Sequence, residues 1–183
     1  MEATQLIRDG LANAKRVADK TIDGLNEDEL NWQPKPGANS IGLILFHMFR
    51  SEDSFVQYLI QKKSPIWTSD KWCEKLCKPP TDSGSHYNAE QIDTFKVPRI
   101  EDLMAYGKAV REKTLEFVDS LTPEKLDAAV ELPPIPPTPG QGTPPRRPFE
   151  PFVGSLLIMT VTHQAQHAGE ISYLRGLQRG LDK

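Results

Sequence analysis

The sequence predicts an all-α protein, most simply a four-helix bundle. Three observations carry that expectation. Apolar residues recur at three- and four-residue steps in four separate long stretches. Strand-like alternation extends over no more than a few residues anywhere. The segments between the stretches are irregular and rich in proline and glycine, which interrupt both helices and central strands. Amphipathic helices of this kind bury their stripes against one another. At 183 residues, a single domain spanning 1–183 is expected, large enough for a core without staples.

The first helix is expected over residues 2 to about 23, where Leu6, Ile7, Leu11, Ala14, Val17, Ala18 and Ile22 form the stripe and Gly24 the stop. A short acidic element, Leu25 to Trp32, follows, and the QPKPGANS segment ends it. Asn39 or Ser40 caps the second long helix, which runs to about Lys62 with Ile41, Ile44, Leu45, Met48, Phe55 and Leu59 on its apolar side. Glu52 and Asp53 are expected to face solvent. Residues 64–99 are too long for a simple turn between helices. They read as an irregular crossover carrying Trp67, Trp72 and Tyr87, either packed over one end of the bundle or lining a pocket, with a short helix near Asp70 to Cys77.

The third long helix follows Pro98 and extends from about Arg99 to Ser120, with Leu103, Tyr106, Val110, Thr114, Phe117 and Val118 as its stripe. The element Leu121 to Ala128 then echoes Leu25 to Trp32. In both cases a long helix precedes the short element, and a loop leads on to a histidine-bearing helix. The segment 131–151 is dominated by proline. It reads as a stiff surface connector, or as a lid whose Arg146 and Arg147 meet an anionic ligand. Pro151 opens the fourth helix, Phe152 to Gly176, with Phe152, Leu156, Met159, His163, His167, Glu170 or Ile171, and Leu174 as its buried stripe.

Charge and composition exclude some function classes. The chain has 22 basic and 25 acidic side chains and no long basic run, so no nucleic-acid partner is expected. No stretch approaches the roughly 20 apolar residues of a membrane span. The polar N-terminus lacks the apolar core of a signal peptide, and a cytoplasmic protein without a membrane partner is expected. Cys73 and Cys77 are too few for a disulfide framework and read as free thiols, with a zinc-ligand pair or a redox pair as the alternatives.

Chemistry concentrates in the histidines. His163 and His167 stand at i, i+4, on one helical face, and His47 lies in the other strongly apolar helix, one turn before Arg50, Ser51 and Ser54. His86 lies in a Gly/Ser/Asn-rich loop and reads as exposed. One histidine on an apolar face is usually core filler. Three pointing into one bundle interior need partners, and a metal supplies them. Neutral imidazoles bind zinc, nickel, copper or iron(II), and three protein ligands leave a position open for water or substrate. The pair is not a zincin motif, because H-Q-A-Q-H places Gln164 where that motif carries a glutamate. Glu170 shares the face of His163 and His167 and reads as general base or ligand-orienting partner, or else as a surface acid. Ser51 and Ser54 are placed to line the same cavity.

The run Asn39-Ser40-Ile41-Gly42 through His47, the run His163 to Ile171 with Leu174-Arg175-Gly176, and the two short leucine elements at 25–30 and 121–126 resemble the DinB-like (DinB/YfiT) superfamily. The resemblance covers nearly the whole chain. It implies a four-helix bundle, a divalent metal on His47, His163 and His167, and frequent homodimers. Zinc or nickel would be the metal, with iron or manganese as alternatives. Relatives include S-transferases that use low-molecular-weight thiols, a mycothiol-dependent isomerase and metal-dependent hydrolases. The aromatic-rich crossover and the proline-rich segment depart from a minimal member. The expectation is therefore a metal-dependent enzyme that activates a small thiol, or a water, against a small-molecule substrate, with Glu170 as its candidate catalytic residue. Its competitors are a non-catalytic metal- or ligand-binding dimeric bundle in a stress response, and a plain bundle whose histidines satisfy one another.

Overall fold

The computed structural model describes residues 2–133 and 151–180. Among them, four long helices build the bundle: α1 (Ala3–Ile22), α3 (Ile41–Asp53), α7 (Ile100–Asp119) and α9 (Val153–Arg179). Short helices occupy the connectors: α2 (Glu27–Asn31), α4 (Ile66–Ser69), α5 (Trp72–Lys75), α6 (Ala89–Thr94) and α8 (Pro123–Leu126). None of the described residues forms a strand. The all-α four-helix architecture is thus as the sequence predicts, with the long crossover between α3 and α7. Most of segment 131–151, including Arg146 and Arg147, lies outside the described residues. No helix among the described residues is long and apolar enough to cross a membrane.

Local sequence explains the boundaries. Ser40 caps α3 by accepting a hydrogen bond from Leu43 N at 3.2 Å. Asn26 and Glu29 form a capping box on α2, and Thr122 caps α8 with Pro123 in its first turn. The two leucine elements are therefore both capped short helices, each preceding a histidine-bearing long helix. Around α9's start, Val130 N donates to Pro151 O at 2.8 Å and Val153 N to Ala128 O at 3.0 Å. These bonds bring the two ends flanking the proline-rich segment side by side.

Three features differ from expectation. First, the second long helix does not run on as α-helix to its end: residues Ser54–Ile60 are π-helical. The wider turn buries Val56, Gln57 and Ile60, while Ser54 and Phe55 both stand on the wall of a cavity. Second, Glu52 and Asp53 are 1% and 0% exposed rather than solvent-facing. Glu52 accepts two hydrogen bonds from Arg111, both 2.7 Å, and Arg111 also donates to Leu11 O at 2.8 Å, so one ion pair ties α1, α3 and α7 together. Third, the core face of α9 is Val153, Leu156, Leu157, Thr160, Gln164, Ala168, Ile171 and Leu174, with Phe152 and Met159 exposed. The buried stripe is thus turned relative to the expected one. Gln164 takes a core position and donates to Met48 O at 2.8 Å, and His163 and His167 stand half-buried at the stripe's edge.

The apolar core falls into two clusters. One surrounds Phe46, Trp67, Tyr106 and Ile171; the other surrounds Leu11, Val56, Val118 and Leu157. Along α3, α7 and α9 the buried polar residues Glu52, Thr114, Thr160 and Gln164 fall between them.

Candidate metal centre and its cavity

α3 and α9 pack side by side and place three imidazoles edge to edge. His47 Nε2 lies 3.0 Å from His163 Nε2, and His167 Nε2 lies 3.2 Å from that same atom. The ligand atoms of the three residues all lie within 4.8 Å of one another, an arrangement that could hold a metal ion. The structure thus brings together the three histidines singled out in the sequence.

What stands behind each ring decides which nitrogen faces inward. His47 Nδ1 is 3.0 Å from Gly84 O, a group that only accepts, so Nδ1 carries the proton and Nε2 keeps its lone pair. Ser85 Oγ, at 3.0 Å, and Ser51 Oγ, at 3.4 Å, lie beside the same Nδ1. His167 Nδ1 is 2.7 Å from Glu170 Oε2, which fixes its tautomer in the same sense. Two lone pairs therefore point at His163 Nε2. A single proton on that atom serves one acceptor fully and the other poorly. If the proton sits instead on His163 Nδ1, which is buried and has no hydrogen-bond partner among the described residues, three lone pairs converge. A cation fits such a set. Tetrahedral zinc–nitrogen bonds of about 2.0–2.1 Å put ligand nitrogens about 3.3 Å apart, close to the 3.0 and 3.2 Å from His163 Nε2 to the other two.

The surroundings favour the neutral form of His163 and His47. Burial, reinforced by His167 and His47, pushes the His163 pKa down to about 4. Burial also lowers His47, with His167 adding to the effect and the Gly84 carbonyl opposing it. Neutral imidazole is the form that binds metals.

Gly84 belongs to the crossover and is held at φ +68°, in the left-handed region. An added Cβ would stand 3.2 Å from His47 Cα and 3.3 Å from Arg50 Cβ. Glycine lets the loop lie directly on α3 and bring its carbonyl to His47. The loop is tied down by Arg50, whose Nε donates to Asp82 O at 3.0 Å, and by Tyr87, whose hydroxyl donates to Asp82 Oδ1 at 2.6 Å.

The histidines open onto a cavity of about 630 Å³. Ser51 and Ser54 line it, as their spacing from His47 suggested. Leu43, Ile44, Phe55 and Ile92 supply apolar wall, and the Phe55 ring meets His163 edge-on at 5.6 Å between centroids. The crossover aromatics divide between the two roles considered for them. Tyr87 lines the cavity, whereas Trp67 and Trp72 pack against Tyr106 at 5.4 and 5.6 Å between ring centroids. His86 is exposed, and it also stands at the cavity's edge. Glu170 is not among the cavity-lining residues; its carboxylate sits behind His167, where it orients that ring. Cys73 is buried and Cys77 exposed; both are free, and neither lines the cavity. The residue that sequence reasoning passed over is Arg50. An arginine directly after the largely apolar run 41–49 needs a paired environment if it is buried, and that was the available signal.

A family model described as the DinB superfamily matches residues 11–171, a span that contains all three histidines. Among solved structures, the crystal structure of a conserved protein of locus from Enterococcus faecalis shares the fold at a TM-score of 0.77 and 22% sequence identity, covering 97% of each chain. No curated protein matches the chain.

Proposed function

The chain belongs to the DinB superfamily, and from that membership and the convergent imidazoles we propose that it is a metal-dependent enzyme acting on small molecules. His47, His163 and His167 are the ligands in this reading. One observation carries it: three Nε2 atoms, two of them with fixed tautomers, meet on the wall of an open cavity. Three neutral ligands leave the ion its full charge and at least one free position. A divalent ion bound there, zinc or nickel in the first instance, would supply the Lewis acidity that keeps a thiol as thiolate or acidifies a water.

The chain's own residues bind, orient and exclude water. Gly84 O and Glu170 hold His47 and His167 in ligating orientation, and Phe55, Leu43 and Ile44 present an apolar face to the substrate. Among the described residues no carboxylate lines the cavity to take a proton from water. A thiol loses its proton to solvent more readily and needs no such base. Transfer of a low-molecular-weight thiol to a small electrophile is therefore the preferred form of the reaction, and hydrolysis the second.

The test has two stages. Metal content of the purified, metal-replete protein is expected at one ion per chain, and near zero for His163→Ala. The absence of stoichiometric metal in the wild type would refute the site. Thiol consumption is then followed with a panel of electrophiles, with and without chelator. Stoichiometric metal without any chelator-sensitive turnover would assign the protein a non-catalytic metal- or ligand-binding role.

A further inference from the structure

Among the described residues, the cavity beside the histidines carries one permanent cation, Arg50, which is 6% exposed. Its guanidinium has five N–H donors. Nε donates to Asp82 O at 3.0 Å; Nη1 donates to Tyr106 Oη at 3.0 Å and, at a longer 3.3 Å, to Asp53 Oδ2. The plane lies over Trp67, with Cζ 4.5 Å from the ring centroid. These contacts fix the fork in space before any ligand arrives. Nη2 hydrogen-bonds none of the described residues, although Arg50 lines the cavity. A nearly buried guanidinium with two unspent donors on a partly apolar wall is matched by an anion.

The charges agree. Asp53 is already held by Ile66 N, Trp67 N and the Tyr106 hydroxyl at 2.9, 3.0 and 2.8 Å, and its charge balances that of Arg50. With three neutral imidazoles, a divalent ion leaves the site two positive charges. A thiolate cancels one, and a singly charged group on the substrate the other. A phosphate dianion fits less well, because no lysine and no second arginine lines the cavity among the described residues. A carboxylate matches one free edge of a guanidinium.

We propose that Arg50 is the receptor for a substrate carboxylate, so that the protein takes small monocarboxylates whose apolar body rests on Leu43, Ile44, Phe55 and Ile92. The proposal rests on reading this cavity as the reactive site, and it names the substrate class. Arg50 and His47 stand one turn apart on α3, so the carboxylate would be anchored within a small molecule's length of the histidines.

Benzoate and benzamide separate the idea from its alternatives, since they share shape and differ in charge. Each is titrated calorimetrically into full-length wild-type protein, first stripped with chelator and then metal-loaded. Benzoate is expected to bind about tenfold or more tightly than benzamide in both states. The preference should shrink to about twofold or less in Arg50→Gln. Equal affinity, or none for either ligand, overturns the proposal. So does a preference that appears only with metal, since the ion is then the receptor, or one that persists in folded Arg50→Gln. If Arg50→Gln does not fold, Ser54→Leu fills the cavity from its wall: loss of benzoate binding supports the assignment, and retained binding overturns it. Metal content, measured separately, reports on the metal site, so either reading can fail while the other stands.

Discussion

His163 stands in surroundings that disfavour its protonated form. Its ordinary value of 6.5 falls to about 4 in the folded protein, through burial and two imidazole neighbours. Between pH 6.5 and 4 the unfolded chain therefore holds more protons than the folded one, and stability rises with pH across that window. The contribution is complete above about 6.5 and is lost as pH falls towards 4; it is on the order of 2–3 kcal/mol. His47 is shifted the same way. Urea midpoints of the metal-free protein are expected to fall steeply from pH 7 to 4.5, and less steeply for His163→Ala. Glu170 makes a different prediction. Its side chain is 53% exposed, so it contributes little to folding, yet among the described residues it is the partner that fixes the outward nitrogen of His167. Glu170→Gln should weaken metal affinity about tenfold or more, as losing a carboxylate that orients a ligating imidazole does, while leaving the metal-free thermal midpoint within about 2 °C. Competition with a chromogenic chelator measures the first effect and calorimetry the second. Unchanged affinity would show that His167 needs no partner.

Asp53 governs the connection between α3 and the crossover. Its carboxylate accepts hydrogen bonds from Ile66 N and Trp67 N, which start α4, from the Tyr106 hydroxyl on α7, and from Arg50. Burial raises its pKa, and these donors hold it down. Asp53→Ala strands Arg50 without its counter-charge and frees the segment that carries Gly84 to His47. A loss of about 3–5 kcal/mol is expected from urea denaturation, together with weaker metal binding. Tyr106→Phe, which removes one donor, should cost about 1 kcal/mol. A loss for Asp53→Ala no larger than that for Tyr106→Phe would show that the crossover does not depend on this carboxylate. Periodicity gave no sign of these roles. Glu52 and Asp53 look like two surface acids in a helix, and partners such as Arg111, 59 residues from Glu52, and Tyr106, 53 residues from Asp53, make their burial tolerable.

Across the whole molecule, the candidate metal centre joins α3 to α9, where Gln164 bridges to Met48 O. Binding there should be felt as global stability. Metal at about 100 times its dissociation constant adds about 2.7 kcal/mol, which for a chain of this size raises the melting temperature by about 5–10 °C. Scanning calorimetry is expected to show that rise in the wild type, its reversal by chelator, and its absence in His163→Ala. An equal rise in His163→Ala would place the stabilising ion elsewhere.

The sequence by itself determined the fold class, the order and approximate limits of the four long helices, a cap at Asn39 or Ser40 and the three histidines as one group. These are local properties: a helical period, a cap and an i, i+4 spacing are written in neighbouring residues. The tertiary structure alone decided which side of α9 is buried, because that helix carries apolar residues on more than one face, so its period does not select one phase. Arg50, Asp53, Gly84 and Glu52 likewise acquired their roles only from partners distant in sequence. A buried charge or a left-handed glycine is stable or not according to what stands opposite it, and the order of residues does not state what stands opposite.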